Sequence, residues 1–139
     1  MAETIKSVMT RDPVCLDADA PILHAAKAMD ERNIGDVLIM SEGSICGIVT
    51  DRDIAIRAVA HGMDPSTSRV GEICSRQLVT LRPDDSIDDA IAQMREHALR
   101  RMPVCEEGRP VGIVSLGDLA EERDRMSVLG QISTAPANH

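Results

Sequence analysis

Gly43-Ser44-Ile45-Cys46-Gly47-Ile48-Val49-Thr50-Asp51-Arg52-Asp53 and Gly108-Arg109-Pro110-Val111-Gly112-Ile113-Val114-Ser115-Leu116-Gly117-Asp118 are the two stretches whose comparison decides the fold. They lie 65 residues apart and share the pattern Gly-x-x-x-Gly-Ile-Val-(Thr/Ser)-x-x-Asp. Extended outward, residues 8–54 fall on residues 73–119 without a gap, and 14 of those 47 positions are identical. Ala25, Met29 and Glu31 meet Ala90, Met94 and Glu96. An ungapped match of that length marks an internal duplication.

Each copy reads as the same unit. A short helical lead-in is expected at Thr4–Met9 and Ser68–Cys74, then a short apolar strand at Val14–Leu16 and Val79–Leu81. A helix follows, with apolar residues at helical spacing: Ile22, Ala25, Ala26 and Met29 in the first copy, Ile87, Ala90, Ile91 and Met94 in the second. Ser86-x-x-Asp89 is a capping box for the second of these. Two hairpins come next, Val37–Met40 with Cys46–Thr50 and Met102–Cys105 with Val111–Ser115. A last helix runs from Arg52 towards Val59, ending near Gly62, and its counterpart from Gly117 towards Met126. The predicted organisation is one repeat over 5–62, a linker rich in Gly, Pro and Ser over 61–69, a second repeat over 68–126, and a tail over 127–139 whose last residues, 134–139, are expected to be disordered. A β-α-β-β-α unit of about 50 residues is marginal by itself, so the two copies are expected to pack sheet to sheet as a pseudo-twofold pair, with a ligand site at their junction.

The 139 residues contain no Phe, Tyr or Trp, so eight Met and the aliphatic residues must fill the core. An adenine ring could not stack on an aromatic side chain here; its site would be an aliphatic slot with backbone hydrogen bonds. The net charge of −8 is shared evenly: residues 1–69 carry 7 basic and 11 acidic groups, residues 70–139 carry 8 and 12. With no basic tract, nucleic acid and anionic membranes are disfavoured as partners. Neither a signal peptide nor a stretch of transmembrane length is visible, and a cytoplasmic location is the expectation. Cys15, Cys46, Cys74 and Cys105 form no CxxC pair and read as small hydrophobes.

Gly47-Ile48-Val49-Thr50-x-x-Asp53, Gly112-Ile113-Val114-Ser115-x-x-Asp118 and Arg101-Met102-Pro103-Val104, in order inside a true repeat, resemble the tandem CBS-domain pair, or Bateman module, over roughly residues 5–125. Thr50-Asp51-Arg52-Asp53-Ile54 followed by Gly62-Met63-Asp64-Pro65 is similar to small stand-alone bacterial CBS proteins of the hypoxic-response type. The resemblance implies an α/β fold, a homodimer of pairs, and adenosine-type ligands (AMP, ADP, ATP, NAD or S-adenosylmethionine) in the cleft between repeats. It also implies that the motif Asp holds the ribose hydroxyls and the Thr or Ser the ribose or phosphate.

Two sites follow from that resemblance. The first takes Thr50, Arg52 and Asp53 from one repeat with Val79, Thr80, Arg100, Arg101, Met102 and Pro103 from the other. A carboxylate suits a diol, and Arg forks suit a phosphate. The second, weaker site takes Ser115 and Asp118 with Val14, Cys15, Gly35, Asp36 and Val37. There Gly35 and Asp36 replace the two arginines, and an Asp repels phosphate. Both Thr/Ser-x-x-Asp motifs are also capping boxes, which stability alone would explain.

No catalytic triad order, P-loop or dinucleotide fingerprint is present, so the chain is not expected to be an enzyme and no catalytic cofactor is expected. Without a catalytic domain in the chain, the effector would be a separate protein, or the signal a change of oligomer. The alternative is a structural or interaction protein with no nucleotide and a metal or redox input. His24, His61, His97, His139 and the four Cys supply ligand types but show no compact zinc spacing, so no metal site is assigned.

Overall fold

In a computed structural model the backbone is described for residues 4–134 and the side chains for residues 4–125. The described elements are α1 (Ile5–Val8), β1 (Thr10–Arg11), β2 (Cys15–Asp17), α2 (Ile22–Arg32), β3 (Asp36–Ser41), β4 (Ser44–Thr50), α3 (Asp51–Asp53), α4 (Ile87–His97), β5 (Arg101–Glu106), β6 (Arg109–Ser115) and α5 (Leu116–Thr134). This is the mixed α/β repeat expected, present twice. A π turn (Ile54–Ala58) and a 3-10 turn (Val59–His61) continue α3 until Gly62, at φ +71°, ends it in the left-handed conformation. Both hairpins turn on a Glu-Gly pair at positive φ, Glu42-Gly43 and Glu107-Gly108. Left-handed residues at both central positions match the twist of the flanking strands.

The chain forms two compact units. One holds Asp12–Leu78 with Glu107–Pro110; the other holds the described residues of Met1–Arg11, Val79–Glu106 and Val111–His139. The lead-in segments are therefore traded between repeats. In the second unit, β1 is antiparallel to β6, pairing Thr10 with Ile113 and Arg11 with Gly112, and the sheet order is β1-β6-β5. Ile5 is fully buried there with Ile91, Met94, Met102, Val114 and Leu119. In the first unit, β2 runs parallel to β3 and β3 antiparallel to β4, and Ser75 bridges Ile48 on the outer side of β4. The core packs Ile22, Ala25, Val37, Ile39, Val49 and Val70.

The motif glycines are explained by those traded segments. A Cβ on Gly47 would lie 2.7 Å from the Ser75 carbonyl oxygen and 2.9 Å from Cys74 Sγ. One on Gly112 would lie 2.7 Å from Met9 Sδ and 2.9 Å from the Thr10 carbonyl oxygen. Each glycine thus lets a second backbone lie against its strand.

Three expectations change. The lead-in predicted at Ser68–Cys74 is only a 3-10 turn, Val70–Glu72. Its Val70 and Gly71 N–H groups donate to Ala20 and Ala18 carbonyls at 2.8 and 3.0 Å, which diverts them from an α-helical ladder. The strand predicted at Val79–Leu81 reduces to one parallel bridge, Leu81 with Val104. In the first unit Leu38 N–H donates to Val14 C=O at 2.9 Å; the residue 65 positions after Leu38 is Pro103, which has no N–H to give to Val79. Finally, α5 runs past Met126 to Thr134, where a tail was expected; the first proline beyond it is Pro136. Residues 135–139 of the predicted disordered tail lie outside the described residues.

Gly47→Ala meets backbone, which cannot swing aside as a flexible side chain can. It is expected to destabilise the protein by about 1–3 kcal/mol, the range for overpacking. A denaturant midpoint unchanged from wild type would refute this account of the glycine.

Candidate nucleotide site

The described structure gathers the candidate residues by unit. In the first unit Val14, Cys15, Gly35, Asp36, Val37, Thr50, Arg52 and Asp53 belong to one sheet and the helix that leaves it. Antiparallel pairing sets Asp36 opposite Thr50, and Asp51 N–H donates to Gly35 C=O at 3.0 Å. In the second unit Val79, Thr80, Arg100, Arg101, Met102, Pro103, Ser115 and Asp118 gather likewise. Leu116 N–H donates to Arg100 C=O at 2.7 Å, which ties the start of β5 to the start of α5. Leu81 N–H donates to Pro103 C=O at 2.9 Å, so Val79 and Thr80 come to the same end of the sheet.

Not all of these side chains face a ligand. Met102 and Val37 are fully buried core residues, Pro103 is buried, and Val14 packs against the first unit's core. Their backbones shape the site. Thr80, Arg100, Arg52 and Cys15 are exposed, and Val79, Asp36, Arg101 and Gly35 are half-buried.

The two Thr/Ser-x-x-Asp motifs differ. Thr50 and Asp53 form a complete capping box: Asp53 N–H donates to Thr50 Oγ1 at 3.2 Å, and Thr50 N–H donates to Asp53 Oδ2 at 2.9 Å. The other carboxylate oxygen, Oδ1, lies 3.6 Å from Arg57 Nε. The Asp53 side chain is 16% exposed. In the second unit only half the box forms. Asp118 N–H donates to Ser115 Oγ at 3.1 Å, and no hydrogen bond or ion pair among the described residues reaches the exposed Asp118 carboxylate. The residue matching Arg57 is Glu122, which pairs with Arg125.

Charge and donor supply differ in the same sense. Asp36 adjoins Thr50, whereas Arg100 and Arg101 adjoin Ser115, at the N-terminal, positive end of a 19-residue helix. Pro103 leaves the Val79 carbonyl without the donor that Val14 has. Val79 and Thr80 also line a cleft of about 330 Å³ whose other walls include Asp85, Asp89, Gln93 and Glu96. Those acids disfavour a phosphate there and favour a hydrogen-bond donor.

Burial pushes the Cys74 thiol up from the ordinary range, and partial desolvation by the neighbouring chain does the same for Cys15, whose surface is exposed. For Cys74, Arg76 opposes that shift and nearby Cys46 adds to it. Among the described residues no group of three His, Cys, Asp or Glu is arranged to hold a metal, and no helix is long and apolar enough to cross a membrane. His139 lies outside the described residues.

The CBS-domain family model matches residues 5–59 and 70–125, and the chain belongs to that family: it is a CBS-domain pair, a regulatory type of module rather than a typical enzyme. It is 38% identical over 117 residues to the CBS domain-containing protein YhcV of Bacillus subtilis, covering 84% of this chain and 83% of that one. It is 35% identical over 118 residues to hypoxic response protein 1 of Mycobacterium tuberculosis, covering 84% and 82%. The solved structure of that hypoxic response protein, with two coordinated zinc ions, matches with a TM-score of 0.74 at 34% identity over 86% of this chain and 98% of that one. The CBS pair of protein MJ0100, in complex with 5′-methylthioadenosine and S-adenosyl-L-methionine, matches with a TM-score of 0.79 at 26% identity over 91% and 99%.

Sequence reasoning ranked Asp53 first and missed Arg57 as its partner. Helical spacing of four was the available signal. The buried, protonated Cys74 is expected to react with iodoacetamide more slowly than an unhindered thiol at pH 7.4, and to gain rate as pH rises. Equal rates in the native and urea-unfolded protein would contradict the burial.

Proposed function

We propose that this CBS pair is a sensor of adenosine-type ligands, an adenine nucleotide of the AMP, ADP or ATP type being the leading class. The observation that carries the proposal is the constellation in the second unit: an Asp118 carboxylate that no described residue engages, beside Ser115, with Arg100 and Arg101 at the adjoining strand start. A carboxylate accepts two ribose hydroxyls, and the arginines with the helix terminus suit a phosphate. The Val79 carbonyl, lacking the usual N–H, is an acceptor for the adenine amine. The adenosyl ligands of MJ0100 support the same class. Ligand binding regulates by favouring one arrangement of the protein, to the extent that it binds that arrangement better. The effector is a separate protein or another copy of this chain.

Absorbance tests this directly. Without Trp or Tyr the protein hardly absorbs near 280 nm, so a bound nucleotide would dominate the spectrum near 260 nm. Mass spectrometry of the denatured protein would then identify it. In calorimetry Asp118→Ala is expected to weaken adenosine or AMP binding by roughly 10- to 100-fold, corresponding to about 1.5–3 kcal/mol for hydrogen bonds to a charged group. Unchanged affinity would remove Asp118 as the ribose acceptor. Absence of any adenine ligand at saturating concentration would favour the interaction reading, with zinc, seen in the hypoxic response protein structure, the next input to measure.

A homodimer through the helix that follows β4 is part of the same proposal. Ile56 and Val59 are 52% and 66% exposed on the helix that follows β4, where the second repeat carries Glu121 and Asp124. The repeats thus keep the position outside the core but fill it with opposite chemistries, which favours a second copy meeting the apolar one. Ile56→Glu with Val59→Glu is expected to convert a dimer into a monomer by light scattering. A dimer that survives both changes would place the interface elsewhere.

A further inference from the structure

We propose that Arg57 is a latch on the first ribose acceptor, Asp53, an inference that rests on the sensor reading above. Asp53 has a partner at each oxygen: Oδ2 accepts from Thr50 N–H at 2.9 Å, and Oδ1 lies 3.6 Å from Arg57 Nε in an ion pair. The latch has a second anchor. Arg57 Nη1 donates to the carbonyl oxygen of Ile73 at 3.2 Å. Ile73 is a buried core residue directly after the turn Val70–Glu72 and directly before Cys74 and Ser75, which lie over Gly47 and beside Ile48. Arg57 therefore bridges the ribose acceptor and the segment leading into the second repeat. Its own side chain is half exposed, so it can leave the carboxylate for water without creating a buried charge.

A ribose diol donates its hydroxyl protons to the carboxylate's open lone pairs. Oδ1 is the oxygen the cap leaves open, and the Arg57 guanidinium lies beside it, so a ribose that donates to Oδ1 competes with the guanidinium there. Displacement leaves Arg57 attached to the Ile73 carbonyl alone, and occupancy at Asp53 thereby changes the restraint on residues 73–75. Among the described residues the second repeat has no such latch, since Glu122 stands at the matching position and no hydrogen bond or ion pair reaches the Asp118 carboxylate. The two acceptors thus differ in the ligand level at which they fill: Asp118 first, Asp53 only after Arg57 gives way.

The test is calorimetry on the full-length chain carrying Asp118→Ala, so that the Asp53 acceptor alone is read. Adenosine and 2′,3′-dideoxyadenosine are the probes, both uncharged, the second without a diol. Adding Arg57→Ala is expected to tighten adenosine binding about two- to fivefold, the scale of a half-exposed ion pair, and to leave the dideoxy compound unchanged. A merely structural role would weaken both alike. Should the Arg57 variant fail to fold, salt supplies the second measurement: screening the pair is expected to tighten adenosine binding in the chain that keeps Arg57, and not dideoxyadenosine binding. Adenosine affinity that stays flat or falls on both manipulations overturns the latch and leaves the sensor reading standing. No adenosine binding to wild type or to either variant overturns both.

Discussion

The close passage of one backbone over a glycine is the contact on which the rest of this molecule depends. Gly47 and Gly112 occupy equivalent places on the last strand of each repeat, and each has another segment's carbonyl within 3 Å of where a Cβ would stand. The segment over Gly112 comes from the N-terminus of the chain and completes the second repeat's sheet through Thr10 and Arg11. The segment over Gly47 comes from the start of the second repeat and pins Ser75 to Ile48. Each repeat is therefore finished by a piece of chain from the lead-in of the other, which supplies core area that a unit of this size lacks by itself.

Those strands also end where the candidate site residues begin. Each finishes in a Thr or Ser that caps the next helix, and the Asp one turn on either closes the cap or remains open. The same local motif thus has two outcomes. In the first repeat Asp53 meets Thr50 with one oxygen and Arg57 with the other; in the second, no described residue engages the Asp118 carboxylate. A capping box and a ribose acceptor compete for the same lone pairs, and local partners decide which role is available. The helix neighbour four residues on, Arg57 against Glu122, makes the difference.

Pro103 shows a comparable division in the backbone. Where Leu38 donates its N–H to Val14, Pro103 has none to offer, and the expected strand at Val79–Leu81 dwindles to a single bridge. The consequence is a carbonyl at Val79 released from the sheet beside a cleft, in a protein that has no aromatic ring to grip a base. Backbone acceptors and aliphatic walls are what such a chain has available for recognising adenine.

Much of this was legible from residues alone. The 65-residue repeat, the hairpins turning on Glu-Gly, the amphipathic helices and the two Thr/Ser-x-x-Asp motifs follow from spacing, because periodicity and turn chemistry are local properties. The two Thr/Ser-x-x-Asp motifs and the strand starts beside them were named as candidates from the sequence, and the described structure collects them at one end of each unit's sheet. Their grouping and their engagement belonged to the tertiary structure. Only folding determines that lead-ins are traded between repeats, that Gly47 and Gly112 are needed for close approach, that Arg101 adjoins Ser115 while Asp36 adjoins Thr50, and that Arg57 reaches both Asp53 and Ile73. Apart from the Arg57–Asp53 pair, which is one helical turn apart, those are contacts between residues 14 to 103 positions apart, set by strand register and the path of the backbone rather than by the neighbouring sequence.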